Sequence, residues 1–171
     1  MRRASHAASG RPVDTAAYEQ YIGRYSRLFV PALLAAAEVA RVLDVATGPG
    51  EAALLATSVV EPTGLVVGAD ISPAMLKAAR ARFSTESLLA VTADGQTLAF
   101  KDATFDAVLC QLGLQFFPNP ARALSEFRRV LRASGRTAVC VISTPDRAPM
   151  WGILADVLSR HLPDQRPAIE W

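Results

Sequence analysis

Two cysteines and two histidines are the whole supply of thiol and imidazole in this 171-residue chain. Cys110 and Cys140 lie in separate apolar, strand-like runs with no second Cys or His at ligand spacing. They are expected to be buried free thiols in a reducing, intracellular setting. His6 and His161 are isolated, which leaves no metal site to predict. Charge of one sign is also lacking: 18 Lys+Arg against 16 Asp+Glu leave +2, too little for a nucleic-acid tracking surface or a polybasic membrane patch. No apolar run reaches the roughly 20 residues that cross a bilayer, because Asp44, Asp70, Asp106 and Arg136 interrupt or flank the candidates. The opening MRRASHAASGRPVD has a twin arginine without the apolar segment of a secretory signal, so residues 1–14 are expected to be a mobile tail. Repeats and low-complexity tracts are missing too. The expectation is a soluble cytoplasmic protein with a small ligand.

A hydrophobic content of 51% supports one domain with a real core. Residues 15–40 carry Tyr18, Ile22 and Tyr25 at helical spacing, followed by PALLAAAEVA, whose proline suits a first helical turn. The aromatics form either a packing stripe or a lid over a ligand. From Arg41 the pattern predicts strands over 42–46, 65–69, 88–93, 105–111 and 136–142, with helices over 51–60, 73–83 and 120–132. Ser72-Pro73 and Asn119-Pro120 place a capping residue before a first-turn proline, and Gly64 and Gly135 are read as helix closers. Strands separated by helices imply an α/β fold, a doubly wound, mainly parallel sheet with ligand at the carboxyl ends of its strands. Residues 148–162 place Met150, Trp151, Leu154, Val157, Leu158 and Leu162 mostly on one face and predict a last amphipathic helix. The domain plan is therefore a tail (1–14), a helical lid (15–40), an α/β core (41–143) and a C-terminal helix and tail (144–171).

The chemistry gathers at the predicted strand ends. Val42 to Leu55, VLDVATGPGEAALL, is a strand that breaks on a glycine turn and restarts as a helix, leaving backbone N–H groups for an anionic or polar ligand. Asp70 ends the second strand 20 residues after Gly50, placed either for two ribose hydroxyls or as a helix cap. Asp94-Gly95 ends the third strand, suited to an adenine edge or to a plain turn. Gly48-Pro49-Gly50-Glu51-Ala52-Ala53 satisfies G-x-G-x-x-A, a weak dinucleotide signal. Asp44 discriminates. A carboxylate beside that turn repels a pyrophosphate and attracts an ammonium, and a purely structural buried Asp would need local hydrogen-bond donors.

VLDVATGPGE, VVGADIS with PAML, ADGQTLAF, FDAVLCQLGLQFF and FRRVLRASGR, in that order from about Tyr18 to Ser143, resemble the class I S-adenosylmethionine-dependent methyltransferases. The nearest likeness is to the small-molecule branch that includes the ubiquinone and menaquinone C-methyltransferases. The resemblance implies a Rossmann-like methyltransferase fold with S-adenosylmethionine as methyl donor and S-adenosylhomocysteine as product. It implies that Asp44 holds the methionine ammonium and that Ala46, Thr47 and Gly48 line the donor by backbone. Asp70 would take the ribose hydroxyls, Ile71 would pack on adenine, and Asp94 and Gly95 would bind its edge. Cys110 and Gln111 would contact the methionine portion by backbone, and Tyr25 would close over the donor.

Two departures stand out. Ala46 replaces the first glycine of many relatives, and about 30 residues follow Ser143 where the family sheet continues with two more strands. The sheet is expected to lack those strands. Its fifth strand then becomes an apolar edge, covered by the 148–162 helix or paired with another chain.

Transfer from a sulfonium needs positioning and desolvation, and no covalent nucleophile. No convincing general base is legible, His161 being read as a surface or packing residue. Phe116 and Phe117 face either the ligand or the core. Nucleic-acid methylation is disfavoured because Cys110-Gln111-Leu112-Gly113 lacks both the Asn/Asp-Pro-Pro-aromatic and the Pro-Cys elements. The arginines at 128, 129, 132 and 136 read as a solvated helix face and turn. The rivals to a small-molecule methyltransferase are a nicotinamide-dependent oxidoreductase and a non-catalytic donor-binding module.

Overall fold

Runs of valine and leucine alternate with alanine-rich helical stretches, and in the computed structural model, which describes residues 40–60, 63–82, 88–144, 147 and 149–161, they build a parallel sheet. The expected tail and, save its last residue, the expected lid with Tyr25 lie outside the described residues. The strands are β1 (Arg41–Val45), β2 (Leu65–Asp70), β3 (Leu88–Thr92), β4 (Phe105–Gln111) and β5 (Leu131–Cys140). Their order is β3-β2-β1-β4-β5, and every neighbouring pair is parallel. Three helices, α1 (Glu51–Ala56), α2 (Pro73–Arg82) and α3 (Pro120–Val130), are interleaved with them. The strand order reverses between β1 and β4, which makes the carboxyl ends of these two strands the switch point where open α/β sheets take ligands.

Burial on both faces explains why the strands read as continuous apolar runs rather than alternating ones. Leu43, Val45, Val67, Phe105 and Val108 pack with Phe127 and Val130 of α3 on one side. Val42, Val66 and Leu109 pack with Ala52, Ala53 and Ala56 of α1 on the other. The caps form as their residue types require. The Asn119 side chain accepts the Arg122 N–H at 3.0 Å and the Ser72 hydroxyl accepts the Met75 N–H at 3.4 Å. A fourth helix, α4 (Pro149–His161), belongs to a second unit that begins at Ile142.

Several boundaries differ from expectation. The first core helix stops at Ala56 rather than reaching residue 60, and Thr57 and Ser58 turn their hydroxyls onto the carbonyls of Leu54 and Leu55, both at 2.7 Å. Such back-bonding competes with helix propagation. The fifth strand begins at Leu131, directly after α3, and ends at Cys140. Its register runs from Phe105↔Leu131 to Ala107↔Arg136, so residues 132–135 bulge out of the ladder. Gly135 is therefore no helix closer: a Cβ there would lie 2.8 Å from Leu131 Cδ2 and 3.0 Å from the Asp106 carbonyl. Cys140 is half-buried rather than fully buried.

The arginines also do more than solvate a helix face. Arg129 ion-pairs with Glu126 and Asp102, both at 2.7 Å, and donates to the carbonyls of Leu98 and Phe100, both at 2.8 Å. It thereby fastens the irregular crossover between β3 and β4 to α3. Arg132 pairs with Asp106, whose other oxygen accepts the N–H groups of Ala40 and Arg41 at 3.2 and 2.8 Å. One carboxylate so joins the start of β1 to the β5 bulge.

Candidate functional site

The turn after β1 is shaped by three left-handed residues, Ala46 (φ 58°), Gly48 (φ 55°) and Gly50 (φ 86°). Glycine adopts this region freely, whereas alanine is strained there by about 1 kcal/mol. The Thr47 N–H donates to the Ala69 carbonyl at 3.0 Å, which ties the turn to the end of β2. A Cβ at Gly68 would stand 3.0 Å from Thr47 Oγ1, so glycine on β2 leaves the room Thr47 needs.

Asp44 is 1% exposed. Its Oδ2 accepts the Thr47 hydroxyl at 2.6 Å, while its Oδ1 has no hydrogen-bond partner among the described residues. Burial drives this carboxyl up to about 7 against the opposing pull of the Thr47 hydroxyl and of the Ala53 backbone N–H in the first turn of α1, and the nearby Asp70 carboxylate adds to the rise. Asp70, also buried, accepts the Gly48 N–H on Oδ2 and the Ser72 N–H on Oδ1, both at 2.8 Å. Burial raises its carboxyl as well, opposed by those N–H groups. Asp44, Thr47, Gly48 and Asp70 thus form one bonded cluster. Two carboxylates at the ends of adjacent strands give it the electrostatics of a cation site.

The other expected residues surround this cluster in different ways. Ile71, next to Asp70, is 61% exposed, an apolar side chain left open at the strand end. Asp94 accepts the Gln96 N–H at 2.9 Å on Oδ1, an Asx turn, and is half-buried. Gly95 is buried, and a Cβ there would meet Phe117 Cζ and Val45 Cγ1, both at 2.7 Å. Phe117 therefore packs into the core, while Phe116 is exposed. The Cys110 side chain is wholly buried, and burial pushes its thiol up to about 12, so only backbone is offered to a ligand. Gln111 is buried beside it. His161 lies exposed in the second unit.

Two features escaped the sequence reading. A Cβ at Gly113 would lie 2.5 Å from the Ala46 Cβ, so the turns after β1 and β4 touch. Leu112, one residue earlier, is left-handed (φ 53°) and donates its N–H to the Cys140 carbonyl at 2.7 Å. Backbone strain at both turns marks the switch point. Gly113→Ala is expected to cost about 1–3 kcal/mol by overpacking. In an Ala46→Gly background the same change should cost much less, and a double-mutant cycle in urea would check the coupling. The second feature is Arg82 at the end of α2, which pairs with Glu51 at 2.6 Å and donates to the Pro49 carbonyl at 3.3 Å. No motif announces a pair 31 residues apart in sequence.

An orphaned, buried carboxylate oxygen within a doubly acidic cluster fits a donor that carries an ammonium and a sulfonium. It fits a pyrophosphate poorly, because the Gly48 N–H is already held by the Asp70 carboxylate. Comparison with known proteins gives the same assignment. Residues 43–139 match the model of a family described as methyltransferase domain. Demethylmenaquinone methyltransferase of Corynebacterium kroppenstedtii is 40% identical over 124 residues, 72% of this chain and 51% of that protein. The ubiquinone/menaquinone biosynthesis C-methyltransferase of Pseudomonas fluorescens is 39% identical over 114 residues, 64% of this chain and 44% of its own length. The chain spans about half the length of such relatives. Among solved structures, a Bacillus halodurans protein described as a candidate methyltransferase superposes with TM-score 0.64 at 30% identity, over 77% of this chain and 57% of that one. The [4+2]-cyclase SpnF does so with TM-score 0.59 at 26% identity, over 71% and 45%, so this fold also serves other chemistry. From the sheet order, the acidic cluster at its switch point and these matches, the chain belongs to the class I S-adenosylmethionine-dependent methyltransferase family, related to the ubiquinone and menaquinone C-methyltransferases.

Proposed function

We propose that this chain carries the donor site of an enzyme that moves a methyl group from S-adenosylmethionine to a small organic acceptor, of the quinone kind that its relatives' names give. The observation that carries the proposal is Asp44, a wholly buried carboxylate with one oxygen unpartnered among the described residues. Asp44 holds the donor's ammonium. Asp70 uses its remaining lone pairs for the ribose hydroxyls, Ile71 covers the adenine, and Asp94 with Gly95 meets the adenine edge. Ala46, Thr47, Gly48, Cys110 and Gln111 line the methionine portion by backbone.

When bound, the donor supplies an electrophilic methyl group for in-line displacement. The chain's own part is to orient that group and to exclude water from it. Removing the Asp70 carboxylate tests the assignment directly. In calorimetric titrations, Asp70→Ala is expected to weaken S-adenosylmethionine binding by about 1.5–3 kcal/mol, the range for hydrogen bonds to a charged group. An unchanged affinity in a folded variant removes Asp70 from the site. Parallel titrations with S-adenosylhomocysteine and NAD separate the readings, since binding of NAD alone would restore the oxidoreductase. Donor binding without transfer to any of a panel of acceptors, by the full-length gene product as well, would leave only a binding module.

A further inference from the structure

Glycine turns that bind ligands by backbone depend on whatever fixes their dihedral angles, and two glycines in this turn are free to leave the left-handed region. One flank is held from β2, where Asp70 accepts the Gly48 N–H at 2.8 Å. The other flank is held from α2. The Arg82 guanidinium donates through Nη1 to the Pro49 carbonyl at 3.3 Å and through Nη2 to Glu51 Oε2 at 2.6 Å. Glu51 is buried at the first position of α1, and its pair with Arg82 is largely removed from solvent, with side chains 10% and 23% exposed. A planar fork that reaches two acceptors at once is a property of arginine that lysine lacks. The geometry points to Arg82 as a positioning residue for the donor: it locks Pro49 and Glu51 so that the Gly48 N–H stays on Asp70 and the turn is pre-formed before binding.

This inference rests on the donor site proposed above, and pre-formation is what it adds, because a turn already ordered costs less to order on binding. Arg80, two residues earlier on the same helix, supplies the control. Its Nη2 donates to the Ala90 carbonyl at 2.8 Å, on the β3 side and away from the turn. The test compares full-length Arg82→Met, Arg82→Lys and Arg80→Met with the parent by thermal midpoint, by calorimetry with S-adenosylhomocysteine, and by amide exchange of Gly48 in the ligand-free protein. The expected result is about tenfold weaker binding and about tenfold faster Gly48 exchange in Arg82→Met, about the worth of one of the two hydrogen bonds that the guanidinium donates. Arg82→Lys should fall between it and the parent. Arg80→Met, which removes one exposed hydrogen bond, should lower the midpoint less and leave affinity and Gly48 exchange at parental values.

Parental affinity in a folded Arg82→Met, or an equal loss in Arg80→Met, overturns the inference. Should Arg82→Met not fold, Arg82→Lys decides by the same two readouts. If the parent itself does not bind S-adenosylhomocysteine, the donor reading fails, whereas Gly48 exchange in the ligand-free variants still supports or overturns the clamp.

Discussion

Asp44→Asn is expected to make the ligand-free protein more stable at pH 8.5 and to abolish tight donor binding. The Asp44 carboxyl rises from 3.8 to about 7 in the folded protein, chiefly through burial. Three or so pH units at about 1.4 kcal/mol each set the penalty for the buried charge at up to about 4 kcal/mol above neutrality. The folded value lies above the unfolded one. The stabilisation from this group is therefore complete below about 3.8 and is lost as pH rises through about 7. Asparagine keeps an oxygen for the Thr47 hydroxyl, which donates at 2.6 Å, and never ionises. Urea unfolding at pH 5 and pH 8.5 would show the variant's full advantage at the higher pH and somewhat less than half of it at the lower. Equal stability of variant and parent at pH 8.5 would mean that the charge is compensated in the free protein. Donor binding should move oppositely: the parent loses affinity as pH falls below about 7, because an ammonium requires the ionised carboxylate. The group that destabilises the empty fold would then be the one that holds the cation.

Phe127→Ala is the second large effect. Phe127 is fully buried, packed from α3 against the face of the sheet that holds Leu43, Val67, Phe105 and Val108. Truncating such a residue removes its burial and leaves a cavity, at a cost of about 3–5 kcal/mol. That is a large share of the 5–15 kcal/mol typical of a folded domain. The same helix provides an internal comparison in Leu124, one turn earlier and 40% exposed, where alanine should cost only about 1 kcal/mol. Both costs can be read from denaturant midpoints at constant slope. A Phe127→Ala cost below about 1 kcal/mol would show that α3 does not seal this core. The consequence reaches the site, because α3 also fastens the β3–β4 crossover through Arg129, and Asp94 and Gly95 lie at the start of that crossover.

The strands, the three interleaved helices and the parallel order were legible because the apolar runs, the capped prolines and the glycine turn all report on local backbone preference, which is written residue by residue. Asp44 and Asp70 were legible for the same reason, each standing at a fixed place on a strand that pattern alone defines. The β5 bulge was not, since Gly135 serves equally as a helix closer or as the point of close approach to the Asp106 carbonyl, and only the neighbouring strand decides between them. Arg129 reads as a solvated helix face, and Arg82 carries no signal at all, until the fold brings backbone carbonyls and carboxylates within reach of them. Ala46 stood out in the sequence only as a small residue in place of a glycine. Its left-handed backbone and its contact with Gly113 make it a strained junction. The sequence by itself determined which acidic residues and which glycine turn stand at the strand ends, and in which order along the chain. The tertiary structure decided the rest, namely that Asp70 would claim the Gly48 N–H, that one Asp44 oxygen would find no partner among the described residues, and that Arg82 would reach the Pro49 carbonyl and Glu51. Those outcomes depend on distances between strands and helices far apart in sequence, and no local preference encodes them.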